Sequence, residues 1–424
     1  MKDIKKAAAA LLSALLLLTA CARQESETTE TVGPRELETV DLTDERTITD
    51  LSDYESRFAA AFVGTAPAPE TDVTWTENAD GTACITGYTG GESVVVIPDT
   101  LNGKTVTSVA EGAFRNAAFR ALCLPDTVIE IGFGAMEKCG SLATLKTPVF
   151  TCPDRAWFGA LFGASSYEIN RAGVPAALTT LILTGSADAV PEYCFQGCTD
   201  LEAVMLPGSV KSLGDFAFYG CDRLCCVSLP DGLETVGEYA FGNCLSLRAL
   251  TVPASVTRMG RSMLEGCGKL ESLAVPFVGM TADGTENGWL GFLFGAVDHT
   301  FSEGYIPASL IRVTVTTGTA LPPNAFYECS RIREIVLPQT LTEVGHRAFY
   351  RCAYLSVITL PDSLTSLGDE AFSGCVRLTH IDLSHVTSLG VQTFRGCLSL
   401  TDVTPPACAI PDYTFEGTPY GQKN

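Results

Sequence analysis

The chain has 424 residues, 46% of them hydrophobic, enough for one large core or several domains. Against 28 Lys and Arg stand 49 Asp and Glu, a formal charge of −21 at pH 7. Such a surface repels phosphate backbones, so nucleic acid is not an expected partner.

The first twenty residues read as an export signal. Lys2, Lys5 and Lys6 make a basic start, and Ala7 to Leu18 is apolar except for Ser13. The run is too short to span a bilayer comfortably. It ends "LTAC", Leu18 to Cys21, which resembles the bacterial lipoprotein lipobox. The resemblance implies cleavage before Cys21, lipidation of its sulfur, and an extracytoplasmic, membrane-anchored protein at the bacterial cell surface. Two acyl chains hold a protein on a membrane where one does not.

Residues 21–72 form an acidic Thr/Glu-rich tether, too poor in large apolar groups to offset the entropy of ordering. One stretch departs from that composition. Ile48, Leu51, Tyr54, Phe58 and Phe62 recur every three or four residues, which puts them on one helical face. That stripe is expected to dock on the end of the following domain, with an external partner as the alternative.

From residue 73 to 424 the sequence repeats. "LPGSVKSLGDFAFYGCDRLCCVSLP" starts at Leu206, and near-copies start at Leu229 and Leu337. Strand-like pieces of the form L-x-x-[LIV]-x-[LV]-P recur mostly every 22 or 23 residues, from Glu92 and Phe119 through Leu400, about thirteen coils in all. This period is the signature of a solenoid, in which stacked neighbours bury faces that one repeat cannot bury alone. The apolar positions of the piece point inward, and Pro ends the strand by removing a donor. A second apolar pair ends in Gly, as at Leu213-Gly214 and Leu367-Gly368. That Gly is expected to permit a left-handed backbone or a close turn. An Ala-Phe pair then plugs the core, as at Ala217-Phe218 and Ala371-Phe372.

Nine of the 17 cysteines hold one place in the repeat: Cys139, Cys198, Cys221, Cys244, Cys267, Cys329, Cys352, Cys375 and Cys397 each sit three residues before a strand start. They therefore stack in one structural column. Parallel stacked sulfurs are poorly placed for disulfides and do not converge on a metal. The expectation is a small, soft, buried residue that fills a tight corner and bonds a turn weakly. So many unpaired thiols outside a cytoplasm point to a reducing habitat.

The pattern resembles the bacterial BspA-like leucine-rich repeat family, over about residues 73–424. The resemblance implies an α/β-type repeat solenoid, a right-handed superhelix with a parallel sheet on its concave face and short strands, turns or short helices on the other side. It also implies surface binding of host or neighbouring-cell proteins, with no shared catalytic residues. One departure is the coil after Phe114, which has Asn116-Ala117 where the cysteine should stand.

Two steps are long and mark inserts, about 149–175 and 277–307. Both contain "LFGA", at Leu161–Ala164 and Leu293–Ala296, so a larger unit has been duplicated. Each carries an aromatic cluster: Trp157, Phe158 and Phe162 in one, Trp289, Phe292 and Phe294 in the other. These are candidate binding anchors; the competing expectation is that each insert folds back as its own small core.

Nothing in the sequence points to an enzyme. The four histidines lie outside any recognisable metalloprotease, hydrolase, Walker or dinucleotide motif. His380, Asp382 and His385 share one coil and read as a solvated polar edge. No metal and no cofactor are expected. The outward sheet column, Met205, Ser228, Thr251, Ala274, Val336, Thr359, Asp382 and Thr404, is small and mixed and suits broad contact with a protein or glycan. The function expected is a lipid-anchored, adhesin-like binding module. A structural or nutrient-capture envelope lipoprotein is the alternative.

Overall fold

Alternation of period two with β-branched residues gives short strands, and the proline after most pieces stops them. The computed structural model describes Phe62 and residues 64–423. The export segment, Cys21 and the tether through residue 61 lie outside the described residues. Starting at Val73, the chain first caps its own end. Val73–Glu77 pairs antiparallel with Ala83–Tyr88, which then pairs in parallel with Lys104–Val109. About fourteen turns of parallel-strand solenoid follow.

Each ordinary coil contributes two strands. The longer belongs to a main sheet that runs Val94–Val96, Ala121–Cys123, Thr144–Thr147, Thr180–Leu183, Ala203–Met205 and Cys226–Ser228 in order, each parallel to the last. A second stretch runs Ala249–Thr251, Ser272–Val275, Arg312–Val315 and Glu334–Val336, and a last pair joins His380–Asp382 to Asp402–Thr404. The shorter strand is a two-residue pair before the glycine or its equivalent, such as Ser212–Leu213 or Thr235–Val236, whose second residue is apolar and buried. It builds two side sheets, Ala189–Val190 through Arg258–Met259 and Ala320–Leu321 through Ser388–Leu389.

The glycine after the short strand is required by close approach. A Cβ on Gly214, Gly237 or Gly368 would lie 2.5–2.6 Å from a backbone nitrogen of the preceding coil. The left-handed backbone falls two residues later, on non-glycine residues before the Ala-Phe pair. Phe216, Tyr239, Arg347 and Glu370 all have φ between 53° and 57°. Each coil thus carries a conformation costing on the order of 1 kcal/mol, which the surrounding packing must offset.

That packing is a spine of phenylalanines. Phe195, Phe218 and Phe241 stack at centroid separations of 4.9 and 5.4 Å. Phe326, Phe349, Phe372, Phe394 and Phe415 continue the motif at 4.7–5.5 Å. At the far end the short helix Pro419–Lys423 closes the spine, with Tyr420 edge-on to Phe415 at 5.0 Å.

Candidate functional site

Three features could carry chemistry or binding: the cysteine column, the inserts, and the outer face of the main sheet. The column lies in the core. All nine thiols are buried at 2% exposure or less. The backbone N–H of each column cysteine donates to the carbonyl of the residue three before it, a phenylalanine except at Cys139 and Cys267, where it is Met136 and Leu264. For Cys221 and Phe218 the distance is 3.2 Å. The next coil's thiol donates to that same carbonyl, Cys244 Sγ to Phe218 O at 3.3 Å. Seven column cysteines make this contact with a Phe carbonyl of the preceding coil, at 3.0–3.3 Å. The residue must be small enough for the corner and must also bring a weak donor to a carbonyl's second lone pair.

The exceptions follow the same rule. Cys198 and Cys329 come after the inserts, so the preceding coil offers them no Ala-Phe corner, and Cys329 donates within its own coil to Tyr327 O at 3.8 Å. Ala117, the departure noted above, closes the first such corner, before any earlier phenylalanine carbonyl exists to be satisfied. Burial pushes the thiol pKa of Cys139 up to about 11 and those of Cys267 and Cys397 to about 12. Such thiols are protonated at neutral pH and are poor nucleophiles. Among the described residues no two cysteines form a disulfide.

The inserts are part of the wall of the solenoid. In each, a 3-10 turn takes the place of the missing Ala-Phe corner. Gly134 N and Met136 N donate to Ala160 O and Leu161 O at 2.8 and 2.9 Å, and Phe158 N donates onward to Cys194 O at 2.9 Å. The second insert repeats this, with Ser262 N and Leu264 N donating to Phe292 O and Leu293 O, and Leu290 N to Ala325 O. The main sheet runs straight past both, pairing Leu145 with Leu181 and Leu273 with Val313. Only the side sheets are interrupted.

This placement sets the phenylalanines of both aromatic clusters inside the wall. Phe158, Phe162, Phe292 and Phe294 are 0–3% exposed and line the core. A side chain so buried cannot grip a partner without opening its own coil. Trp157 and Trp289 are half-buried and pack on the same core. Trp157 Nε1 donates to Ala164 O at 2.9 Å. The buried Asn170 pins the first insert: its Oδ1 accepts from Gly159 N at 3.0 Å, and its Nδ2 donates to Cys194 O and Gln196 O at 3.1 and 3.0 Å. The second insert has Ser302 at that place, and its buried hydroxyl has no protein partner.

The outer face of the main sheet is divided. Over the first half small and apolar residues share it with Thr144, Lys146 and Thr180. Ala121, Cys123, Ile182, Ala203 and Cys226 point away from the core leucines and valines, yet all are 8% exposed or less. Phe62 packs on this patch against Ile182, Ala203 and Cys226, with Met205 and Cys225 beside it. Over the second half the face is open and mixed. Val336 and Val357 are 42% and 63% exposed and lie on neighbouring coils, since Glu334 bridges to Val357. An ion pair and a polar pair flank them, Arg312 with Glu334 at 2.8 Å and His380 with Asp402 at 2.9 Å. His385 lies 3.4 Å from Asp362 instead, so His380 and His385 belong to separate exposed pairs. Among the described residues no three His, Cys, Asp or Glu converge as metal ligands.

Residues 96–155, 175–281 and 319–421 match the family described as "BspA type Leucine rich repeat region", in six copies. The chain belongs to that family. Solved structures resemble it. A leucine rich cell surface protein from Faecalibacterium prausnitzii A2-165 is 24% identical, with a TM-score of 0.35, covering 84% of this chain and 93% of its own. A leucine-rich repeat protein from Bacteroides ovatus is 22% identical, with a TM-score of 0.37, covering 78% and 92%. The pneumococcal vaccine antigen PcpA is 18% identical, with a TM-score of 0.30, covering 83% and 85%. No curated protein matches the chain. BspA-type repeats are surface-protein interaction modules, and among the described residues no helix is long and apolar enough to cross a membrane.

Proposed function

We propose that this is a lipid-anchored cell-surface protein that uses the open half of its main sheet to hold a protein or glycan, acting as an adhesin. The reading rests on one observation: Val336 and Val357 form an exposed apolar centre rimmed by the Arg312–Glu334 and His380–Asp402 pairs. Interfaces combine an apolar centre with a polar rim in this way. The anchor is supported by the lipobox-like "LTAC" ending at Cys21.

The test is an array of extracellular matrix proteins and mucin glycans probed with the exported chain. Val336→Asp/Val357→Asp should lose roughly tenfold or more of the captured signal, as loss of a central apolar contact does, while melting unchanged. An array with no binding, or equal capture by the double variant, overturns the reading. The adhesin is favoured over a nutrient-capture lipoprotein because Val336 and Val357 stand open on the sheet surface, at 42% and 63% exposure.

A further inference from the structure

The duplicated halves of the solenoid differ in charge at the turns that lead into the main sheet. In the first half Arg223 reaches the neighbouring coil and meets Asp200 at 3.7 Å and Glu202 at 3.3 Å. Counted from the column cysteines, the equivalent places in the second half hold Tyr354, Arg331 and Arg333. The backbone framework is the same: Arg223 N donates to Thr199 O at 3.2 Å, and Tyr354 N donates to Ser330 O at 3.0 Å. On that framework two carboxylates are replaced by arginines and their arginine partner by a tyrosine. One coil further, the Arg377 guanidinium lies 4.1 Å from the centre of the Tyr354 ring, which is 40% exposed. Arg331 and Arg333 are exposed, and among the described residues they form no ion pair. Lys269, at the same place two coils before Arg331, is exposed as well. Arg331 also lines a groove of about 440 Å³ beside the short helix Ser302–Tyr305, together with Gly266, Gly268 and Tyr305. Glu303 lines it too, and Ser330 Oγ donates to its carboxylate at 2.5 Å.

We propose that these turns bind an acidic glycan, a polysaccharide carrying carboxylate or sulfate groups. Arg331, Arg333 and Arg377 meet its anions, and the exposed part of Tyr354 packs on the apolar face of a sugar ring. Guanidinium groups pair with such oxygens through two parallel N–H donors, and the planar fork is already formed before binding. The chain as a whole carries −21, but at physiological salt a charge is felt over only about 8 Å, so unpaired arginines govern their own surroundings. The strip from Arg331 to Arg377 spans two strand spacings, about 10 Å. Phosphates along one nucleic-acid strand lie about 3.4 Å apart, a denser line of charge than this strip and the acidic surface around it can neutralise. An acidic peptide supplies anions but no flat ring face for the tyrosine. The groove beside Arg331 gives the sugar chain room to continue toward Lys269. The site lies on the turns before the strands and uses neither Val336 nor Val357, so it stands whether or not those residues hold an adhesion partner.

The test is biolayer interferometry of the full chain on immobilised heparin, hyaluronan, neutral dextran, polyglutamate and single-stranded DNA. The wild type should bind heparin or hyaluronan and not dextran, and binding should weaken as NaCl rises from about 50 to 200 mM, because exposed charge pairs are screened. Arg331→Glu/Arg377→Glu should lose roughly tenfold or more of that affinity, as loss of central contacts does. Arg223→Ala, which removes an arginine already paired within the protein, should bind like the wild type. If the double variant melts early, Arg331→Ser/Arg333→Ser decides instead, because both of those side chains are exposed and unpaired. No binding of either glycan by the wild type overturns the inference. So does full-strength binding by the arginine variants, or a loss in Arg223→Ala as large as theirs, which would be a general effect of charge. Tighter binding to polyglutamate or to DNA than to both acidic glycans overturns the assignment of the ligand.

Discussion

At the scale of single residues, the column cysteine does two jobs in one corner. It fills a volume that leaves no room for a larger side chain, and it gives a buried carbonyl of the coil before it a second donor. Truncation to alanine at Cys244 or Cys375 should cost about 1–2 kcal/mol, from the lost volume and the weak bond, because the Phe carbonyl keeps its backbone donor. Urea unfolding of each variant measures it. The same thiols make the fold sensitive to alkali. Burial holds Cys139, Cys267 and Cys397 protonated up to about pH 11–12, above the ordinary value of 9.0. An unfolded chain releases those protons earlier. The stabilisation is therefore complete below about pH 9 and is lost as pH rises through 11–12. Each such thiol contributes a slope of about 1.4 kcal/mol per pH unit in that window. Under reductant, unfolding midpoints measured between pH 8 and 11 should fall, and Cys267→Ala should fall less steeply than the wild type. Equal slopes would show that this thiol titrates as if exposed.

At the scale of elements, the two inserts are one device used twice with different hydrogen-bond completeness. The first is tied by Asn170 and by Trp157 Nε1. The second offers Ser302 and Trp289, whose buried polar atoms have no protein partner. Asn170→Ala should cost about 1–3 kcal/mol, since it strands buried backbone groups of two coils. Ser302→Ala should be close to neutral, because the hydroxyl it removes bonds to nothing in the protein. Trp157→Ala and Trp289→Ala should both lower the melting temperature, because both rings pack on the core. The first should be worse by about 1 kcal/mol, the worth of one hydrogen bond. Calorimetry of the four variants checks the order. A Trp variant that melts like the wild type would mean that its ring is dispensable to the wall and available for contact.

At the scale of the whole molecule, a solenoid has no single central core, and its stability is close to a sum over coils and their neighbours. It can therefore devote one long face to contact without unpacking itself. The sheet face is divided between a half on which Phe62 packs and an open, mixed half. The remaining question at this scale is attachment. If Cys21 is lipidated, Cys21→Ala should shift the protein out of the membrane fraction or leave its precursor uncleaved. Fractionation with intact-mass measurement would show it. Equal membrane retention and equal mass after processing in both forms would remove the anchor from the account.

Much of this protein is written in its period. Coil length, inward positions, the Ala-Phe plug and the place of the cysteine column follow from residue types recurring every 22 or 23 positions. Local sequence determines them because each coil contacts only its neighbours. Other features depended on contacts between coils. The sequence shows Gly214 but not that Glu192 N lies where a Cβ would go, and it shows Cys244 but not that Phe218 O awaits its thiol. Trp157 and Phe158 read equally well as anchors or as core. Only the replacement of a missing corner by the 3-10 turn Phe158–Phe162 assigns that phenylalanine to the interior. Phe62 was legible as the end of an apolar stripe, but the patch it packs on is made by Ile182, Ala203 and Cys226, residues from three coils that become one surface only when the strands align. Periodicity specifies the neighbour one coil away; a surface assembled across several coils, and the residue that lands on it from outside the repeat, exist only in the folded chain.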